Sequence, residues 1–472
     1  MKPDCATDGL PMPRRLVAIT AISFGSALTV IDGAIANVAL PTIAKDLGTG
    51  SSAAVLIVTI YQLVLVMTLL PFSSLGDRVG LRNLYQWGQL LFTVSALLCF
   101  FAKSLPFLLV LRAFQALGAA MALSVSSALL RNIYPSGQLG RGLGVNSVIV
   151  SSAAALSPVL GGLIVANAPW PWVFAAAVPF GCLSLLLGRS LPDQKPRKQP
   201  YDYLSALMSA ATFGLIIGGM ESTVHGDSPV VSVAIILGGV FIAVKFVQRE
   251  VKSPRPIMPV DLLRSPVMAL SSLGGLTAFT ASMILLLSLP FRLEHGYGFS
   301  PGMVGTMLAP WALTMMIVAP LAGYLSDRYP AGLLGGIGMI IAIAGLLCFA
   351  WVPHAPTRLD IVWRMSLTAL GFGLFMAPNS RLIVGSAPRH RAAAAGGLIS
   401  TNRLTGQTLG ATLAAILLGM NLGDGRAPPL VAACLAAVAG ICSFARLNPA
   451  LRRPDPREVE TAEAGPDTDA KS

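Results

Sequence analysis

Charged residues are scarce in this sequence. They make up 11% of its 472 residues, whereas roughly 25% is usual in a soluble domain, and 54% of the residues are hydrophobic. A chain of this length with a mean hydropathy of +0.72 has too little polar surface to cover a soluble core. The composition therefore excludes an ordinary soluble protein and predicts one that lies in a lipid bilayer.

Signatures of catalysis and of metal binding are also lacking. The sequence contains no GxxxxGK[ST] phosphate loop, no nucleophile elbow and no zinc motif. Its 6 cysteines are scattered without CxxC spacing, and its 4 histidines carry no ligand spacing. We therefore predict that the protein is not an enzyme and has no metal site and no resident cofactor. Any energy for transport would come from an ion gradient or from the substrate's own gradient.

What the chain does contain is a series of apolar runs, each long enough to cross a bilayer as a helix of about 20 residues. Backbone at this depth has no hydrogen-bond partner in the lipid, so these runs must be helical. The predicted fold class is thus an all-α integral membrane protein with 14 transmembrane helices. The predicted segments are 16–38, 52–73, 83–102, 106–130, 142–166, 171–190, 202–221, 229–249, 267–291, 300–324, 331–352, 359–384, 394–420 and 427–447.

The 33 basic residues orient these segments. Most of them lie in the connections on one side, which the positive-inside rule assigns to the cytoplasm. The net charge of +12 is spread over these short connections and forms no stripe, so we predict no nucleic-acid partner. We expect a multi-pass protein of the cell inner membrane with both termini cytoplasmic and a disordered tail. Four arginines fall inside predicted helices: Arg112, Arg364, Arg381 and Arg403.

An internal repeat divides the chain. The connection after the second segment contains Asp77-Arg78 and the one after the tenth contains Asp327-Arg328, about 250 positions later. Arg112 and Arg364 have nearly the same offset. Two related halves around a central site are the plan of an alternating-access transporter. The predicted division is an N-terminal extension 1–15, a six-helix bundle 16–190, inserted helices 7 and 8 with their linkers 191–266, a second six-helix bundle 267–447, and the tail 448–472.

Asp32 is the residue that most strongly indicates a function. A carboxylate in the middle of a membrane helix costs about 2.5–3.5 kcal/mol, and such a residue is usually retained for a role. Asp32 and Arg112 both lie about 9 Å below the outer edge of the membrane at 1.5 Å per residue, so we predict that they form a proton-coupling pair. The alternatives are a static ion pair and a solvated carboxylate near the outer end.

Three further groups of residues are candidates. The two Asp-Arg turns are predicted to latch the cytoplasmic side, and Pro158 with its following glycines is predicted to kink the fifth helix and to permit close packing. Polar, Met and aromatic side chains suit a permissive pocket, although packed or lipid-facing residues give the same pattern. The gate candidates are Gly76, Asp77, Arg78, Gly80, Arg82, Gly323, Asp327 and Arg328; the kink candidates are Pro158, Gly161 and Gly162; the pocket candidates are Asn37, Tyr61, Gln62, Gln115, Trp311, Met315, Arg364 and Phe375.

These motifs together resemble those of the major facilitator superfamily, and within it the fourteen-helix drug:proton antiporters that include quaternary-ammonium exporters. The segments that carry the resemblance are 32–41 in the first helix, 73–82 (motif A), 112–118 (motif B), 157–162 (the antiporter motif C) and 170–174. Ser73, Ala116 and Ser157 each replace a usual glycine, and Leu81 replaces a usual basic residue. The resemblance implies the major facilitator fold, with two six-helix bundles and two inserted helices.

The leading functional hypothesis is proton-coupled secondary active efflux of amphipathic drugs or cationic compounds across the inner membrane. A dedicated exporter of one endogenous metabolite is the alternative, and a non-transporting membrane sensor is a weaker one. The expected partners are the lipid bilayer, protons and a small amphipathic or cationic substrate. We expect a monomer, for which a periplasmic adaptor is an optional further partner.

Overall fold

The computed structural model describes only part of the chain in detail, and every structural statement below refers to that part. The described residues are 10–134, 149, 153, 156–193, 201–222, 228–253, 262–326, 328–353, 355–386, 392–423 and 425–448. Asp327 and the side chain of Asp77, both predicted to belong to the gate, lie outside them.

The described part of the chain is all-helical. A helix lies in each of the fourteen predicted segments. The helices are α1 (Arg14–Asp46), α2 (Ser51–Val79), α3 (Leu81–Cys99), α4 (Leu105–Ile133), α5 (Leu156–Asn167), α6 (Trp172–Ser190), α7 (Tyr203–Ser222), α8 (Pro229–Lys252), α9 (Pro266–Phe291), α10 (Pro301–Leu325), α11 (Ala331–Ala350), α12 (Arg358–Gly385), α13 (Ala392–Gly419) and α14 (Ala427–Ala445).

Eleven helices in the described ranges are long and apolar enough to cross a membrane by length and composition. Helices α3 and α13 and the described part of α5 fall outside those limits, so a total of fourteen crossings stays a prediction.

Two of the predicted helix ends are placed too early in the chain. We expected the first helix to stop at 38 and the second at 73, but α1 runs through Pro41 to Asp46 and α2 runs through Pro71 to Val79. Packing compensates for the lost backbone bond, since Leu40 and Ile43 are completely buried beside Pro41. As a result most of the first predicted gate turn is helix, and the chain turns only at Gly80, whose φ is +100°.

The helices pack as two bundles with an insert. Helices α1–α4 and α6 contact one another, and so do α9–α14. The insert is a hairpin in which α8 lies against α7, and α7 in turn packs against α2 and α13. Between the bundles, α2 contacts α13, and α1 contacts α9 and α10.

Matching glycine contacts support the internal repeat. A Cβ on Gly88 of α3 would lie 2.7 Å from the carbonyl oxygen of Gly118 on α4. A Cβ on Gly338 of α11 would lie 2.6 Å from the carbonyl oxygen of Gly371 on α12. Both helix pairs thus cross at a point where only backbone fits. The positions are again about 250 residues apart.

The two bundles are joined mainly at one end. We call the end where α1 begins and α14 ends the terminal face, and the other end the opposite face. Toward the opposite face, one apolar cluster combines Ile43 of α1 with Phe291 of α9 and Leu418 of α13. Near the terminal face, the cluster around Ile22 contains described residues of the first half alone, and the cluster around Met268 contains those of the second half alone.

Candidate functional site

A buried ion pair joins α1 and α4. Arg112 Nη1 lies 2.6 Å from Asp32 Oδ2, and Gln115 donates through Nε2 to Asp32 Oδ1 at 2.9 Å. Arg112 Nη1 also donates to Gln115 Oε1 at 2.7 Å. None of the three side chains has any exposed surface. Both carboxylate oxygens therefore accept a hydrogen bond, which is the condition for keeping a charge this deep in the protein.

The surroundings fix the guanidinium of Arg112. Its Nε donates to the carbonyl oxygen of Ile57 at 3.3 Å, and its Cζ lies 4.2 Å from the ring centroid of Tyr61 and 5.3 Å from that of Phe174. Arg112 and Gln115 stand on the same face of α4 because they are three residues apart. Arg112 Nη2 is buried and has no partner among the described residues.

Two of the predicted pocket residues of the first half, Tyr61 and Gln115, contact this pair. Tyr61, Gln62, Asn37 and Gln115 are all buried. The Tyr61 hydroxyl, Gln62 Oε1 and Asn37 Oδ1 have no hydrogen-bond partner among the described residues. Buried polar atoms are usually satisfied, so this group resembles the wall of a binding site more than a packed core.

Three of the four predicted pocket residues of the second half belong to one apolar cluster. Trp311 packs against Phe372 at 5.4 Å between ring centroids, and Met315 lies close to Gly373. Phe375 is completely buried, beside Gly274 and Gly335.

Arg364 is tied to the neighbouring helix and to its own. It donates to the Cys348 carbonyl at 3.0 Å and to the Asp360 carboxylate at 3.1 Å. Asp360, which we did not single out from the sequence, also forms a capping box with Thr357 at the start of α12. The second half therefore places an acid beside its arginine, but in the first turn of the helix.

The kink motif lies where the bundles meet. A Cβ on Gly161 would lie 3.0 Å from the carbonyl oxygen of Ile35 on α1. A Cβ on Gly162 would lie 2.9 Å from Cα of Gly305 on α10. Pro158 contributes its backbone to the same contact, since its carbonyl oxygen faces Gly305. Helix α5 is thus wedged between a helix of each bundle.

The two gate turns have different contacts. In the first, Arg78 donates to the Tyr203 hydroxyl of α7 at 2.9 Å, and Arg82 lies 3.8 Å from Asp193. A Cβ on Gly76 would collide with Val125 of α4 at 2.6 Å.

In the second turn, Gly323 has open space around its Cα. Arg328 stacks on Tyr324 with its Cζ 4.9 Å from the ring centroid. Arg381 donates to the Ser326 hydroxyl at 2.8 Å. Within the described residues, the second turn makes no contact like the one between Arg78 and the insert.

Besides Arg112 and Arg364, two buried arginines, Arg292 and Arg446, were not among the predicted site residues. Arg446, just after α14, donates to Ser271 Oγ at 2.9 Å, to Asn379 Oδ1 at 2.5 Å and to Ser443 Oγ at 2.7 Å. These partners are neutral and come from three helices. Nothing in the sequence pairs an arginine at the end of one helix with serine and asparagine residues far away in the chain.

Comparison with known proteins identifies the family. The sequence profile of the Major Facilitator Superfamily matches residues 22–411 and, in a second match, 272–468. The chain belongs to the major facilitator superfamily. It is therefore a membrane transport protein and not an enzyme. Among the described residues, no group of three or more His, Cys, Asp or Glu is placed to hold a metal ion.

Several relatives are similar along most of their length. The chain is 42% identical to the uncharacterized transporter YebQ of Escherichia coli, over 93% of this chain and 97% of the relative. It is 28% identical to the riboflavin transporter RibZ of Clostridioides difficile, over 84% and 87%. It is also 28% identical to the multidrug resistance protein Stp of Mycobacterium tuberculosis, over 85% and 76%.

A solved structure supports the fold. A bacterial homologue of the human lysosomal transporter Spinster, crystallised in an inward-facing and unoccupied conformation, superposes with a TM-score of 0.67. The superposition covers 94% of this chain and 100% of that chain at 16% sequence identity. At this identity the likeness establishes the fold alone.

Proposed function

We propose that this member of the major facilitator superfamily is a proton-coupled exporter of amphipathic compounds, of the fourteen-helix drug:proton antiporter type. The observation that carries the proposal is the completely buried Asp32 carboxylate, held by Arg112 and Gln115. Membrane acids of this kind are rare and often mark proton relays in transporters.

Protonation of Asp32 would change the forces between α1 and α4. The neutral carboxyl group loses its Coulomb attraction to Arg112, and in a medium of low dielectric this attraction is strong. Arg112 would then be held mainly by its contacts with the Ile57 carbonyl and the Tyr61 ring. A proton can in this way alter how α1, α2 and α4 pack, which is what coupling to a conformational change requires.

The contact between α5 and α10 is the proposed outer seal. Alternating access requires one end of the bundle pair to close while the other opens. Shared apolar clusters near the opposite face and separate ones near the terminal face correspond to a state closed at the opposite face. The excess of basic residues in the terminal-face connections supports a cytoplasmic terminal face in the inner membrane. This conformation is then the inward-facing one.

The names of the relatives support two kinds of cargo. Stp is named for multidrug resistance and RibZ for riboflavin transport. The first favours broad export of amphipathic compounds, and the second keeps a dedicated metabolite exporter as the alternative.

Transport by the purified full-length chain in proteoliposomes tests the proposal. The transported probe is a small amphipathic compound with a naphthalene ring. With an acidic lumen, we expect it to enter the vesicles that carry inside-out protein. Asp32→Asn should lose this gradient-driven uptake and retain probe exchange at equal pH on both sides, which needs no net proton movement. Gradient-driven uptake by Asp32→Asn at the wild-type rate would overturn the coupling role.

A further inference from the structure

Arg403 of α13 is a charged residue inside a helix that is not part of the proton-coupling pair. It is the twelfth of 28 residues in its helix, so it stands far from either end. Its side chain is half-buried. Among the described residues, its guanidinium has no hydrogen bond, ion pair or ring contact. Arginines in membrane helices normally pair or face an aqueous cavity.

The packing of α13 shows which way Arg403 faces. Gly406 and Gly410 lie against α9, where a Cβ on either would be 2.6 Å from a carbonyl oxygen. Leu404 belongs to an apolar cluster with Leu28 of α1 and Leu65 of α2. Successive residues of a helix are turned by 100° around its axis. Viewed along the axis of α13, Arg403 therefore points within about 60° of both glycines and about 100° away from Leu404.

Arg403 therefore occupies the sector of α13 between its α9 side and its α2 side. Helix α1 packs against both α2 and α9, so this sector faces the interior of the protein and not the lipid. Leu28, which shares the cluster of Leu404, precedes Asp32 by one helical turn of about 6 Å. Arg403 thus stands near the depth of the proton-coupling pair, on the opposite bundle.

Two polar residues next to Arg403 in the sequence, Asn402 and Thr405, lie on other faces of α13, about 100° and 160° from Arg403 around the helix axis. Asn402 Nδ2 and Thr405 Oγ1 are buried and have no hydrogen-bond partner among the described residues. Asn402 also lines a small cavity between α9, α12 and α13, together with Gly275, Phe279, Met376 and Asn379. Asn379 is the residue that holds Arg446.

The charged residues in the interior of the second bundle leave it with a net positive charge. Asp32 and Arg112 cancel each other, and Asp360 does the same for Arg364. Arg403 and Arg446 form no ion pair with any described acid. In a medium of low dielectric an uncompensated positive charge attracts anions and repels cations strongly.

We infer that the transported compound carries an anionic group, a carboxylate, sulfonate or phosphate, which Arg403 binds from the second bundle. The inference deepens the proposed export function and replaces the cationic cargo expected from the sequence. A guanidinium suits such groups because it offers planar, paired donors. Export of an anion also proceeds down an inside-negative membrane potential, which adds to the drive from protons entering.

Three probes that share one aromatic body and differ in charge test the inference. They are naphthalene-2-sulfonate, the neutral naphthalene-2-sulfonamide and the cationic (2-naphthyl)trimethylammonium. Binding is measured by calorimetry on the full-length chain in lipid nanodiscs, with empty discs as the blank. We expect the sulfonate to bind at least about tenfold more tightly than the cation. Equal affinities, or a preference for the cation or the amide, would overturn the inference.

Variants of Arg403 separate binding from folding. Arg403→Gln should weaken sulfonate binding by about tenfold and leave binding of the amide unchanged, which shows that the site is intact. Arg403→Lys should keep most of the affinity. Arg249→Gln is the matched control, because that arginine lies on α8 of the insert and has its own partner in Asp202, and it should bind like the wild type. Unchanged sulfonate affinity in Arg403→Gln contradicts the assignment.

The two proposals can fail separately. The sulfonate could bind through Arg403 while its uptake does not depend on the proton gradient. In that case the coupling role of Asp32 is wrong and the anion site stands. If the cation is the probe whose gradient-driven uptake depends on Asp32, proton-coupled export stands and the anion site is wrong.

Discussion

Gly162 of α5 and Gly305 of α10 meet backbone to backbone across the two bundles. A Cβ on either residue would lie 2.9 Å from the Cα of the other, closer than ordinary carbon contacts allow. A Cβ on Gly302, one turn earlier on α10, would lie 3.2 Å from the methyl group of Ala166 on α5. The seal near the opposite face therefore depends on the absence of side chains.

We predict that Gly305→Ala opens this seal. Overpacking costs typically about 1–3 kcal/mol, enough to favour the conformation in which α5 and α10 separate. The measurement is the rate at which a maleimide reagent applied from the opposite face labels a cysteine at Val38, a buried residue of the same region, in a protein without other cysteines. Labelling should become severalfold faster.

The control for this prediction is Gly238→Ala. Gly238 lies on α8 with no atom near the added Cβ, so labelling at position 38 should stay at the starting rate. A Gly305→Ala protein that labels no faster than this control would show that the contact is not part of the gate.

Arg112→Lys should impair transport although it keeps the charge. A lysine ammonium cannot reproduce the bonds from Nη1 to Asp32 and Gln115 together with the bond from Nε to Ile57, because it lacks the planar fork. We expect exchange of the probe to fall at least about tenfold with little loss of folded protein.

Arg112→Ala should lower the stability of the folded protein strongly. It leaves Asp32 buried without its ion-pair partner, at a cost of about 3–5 kcal/mol. Thermal unfolding in detergent separates the two variants. Equal midpoints for the alanine variant and the wild type would contradict the structural part of this account.

The sequence predicted the helices for a clear physical reason, and it also predicted the meeting of α1 with α4. Each apolar run must be a helix in lipid. The depth predicted for Asp32 was counted from a helix end at 38, whereas α1 continues to Asp46, so the pair forms although that count was wrong. The sequence could not predict that Gln115 completes the pair, because that depends on how the two helices cross. Arg446 has neutral partners, and Arg403 has none among the described residues. Both facts depend on contacts between distant helices, which leave no local pattern in the sequence.

The two helices of the insert are joined by a charged residue outside the membrane-spanning segments. Asp202 accepts hydrogen bonds from the Ser205 N–H at 3.0 Å and hydroxyl at 2.9 Å, and Arg249 of α8 lies 3.1 Å away. Burial acts to raise the pKa of Asp202, but these bonds outweigh it and lower the pKa below the ordinary 3.8. The folded pKa is thus below the unfolded one.

The resulting stabilisation is present above the unfolded pKa and is lost as the pH falls through the folded pKa. Asp202→Asn should lower the thermal midpoint slightly at pH 7, by an effect of about 1 kcal/mol or less because the pair is partly exposed. The difference from the wild type should shrink as the pH falls below the ordinary pKa of 3.8 and disappear once the pH is below the folded pKa of Asp202. A difference that stays the same from pH 7 to below the folded pKa would show that Asp202 does not act through its charge.

The role of Asp32 in proton coupling is tested most directly by counting protons. Naphthalene-2-sulfonate is added to the full-length chain in weakly buffered detergent containing a pH-sensitive dye. Because proton and substrate are exchanged by an antiporter, binding of one should displace the other. We predict proton release from the wild type and from Asp32→Glu, and none from Asp32→Asn at saturating probe. Equal release from Asp32→Asn and the wild type would contradict the account.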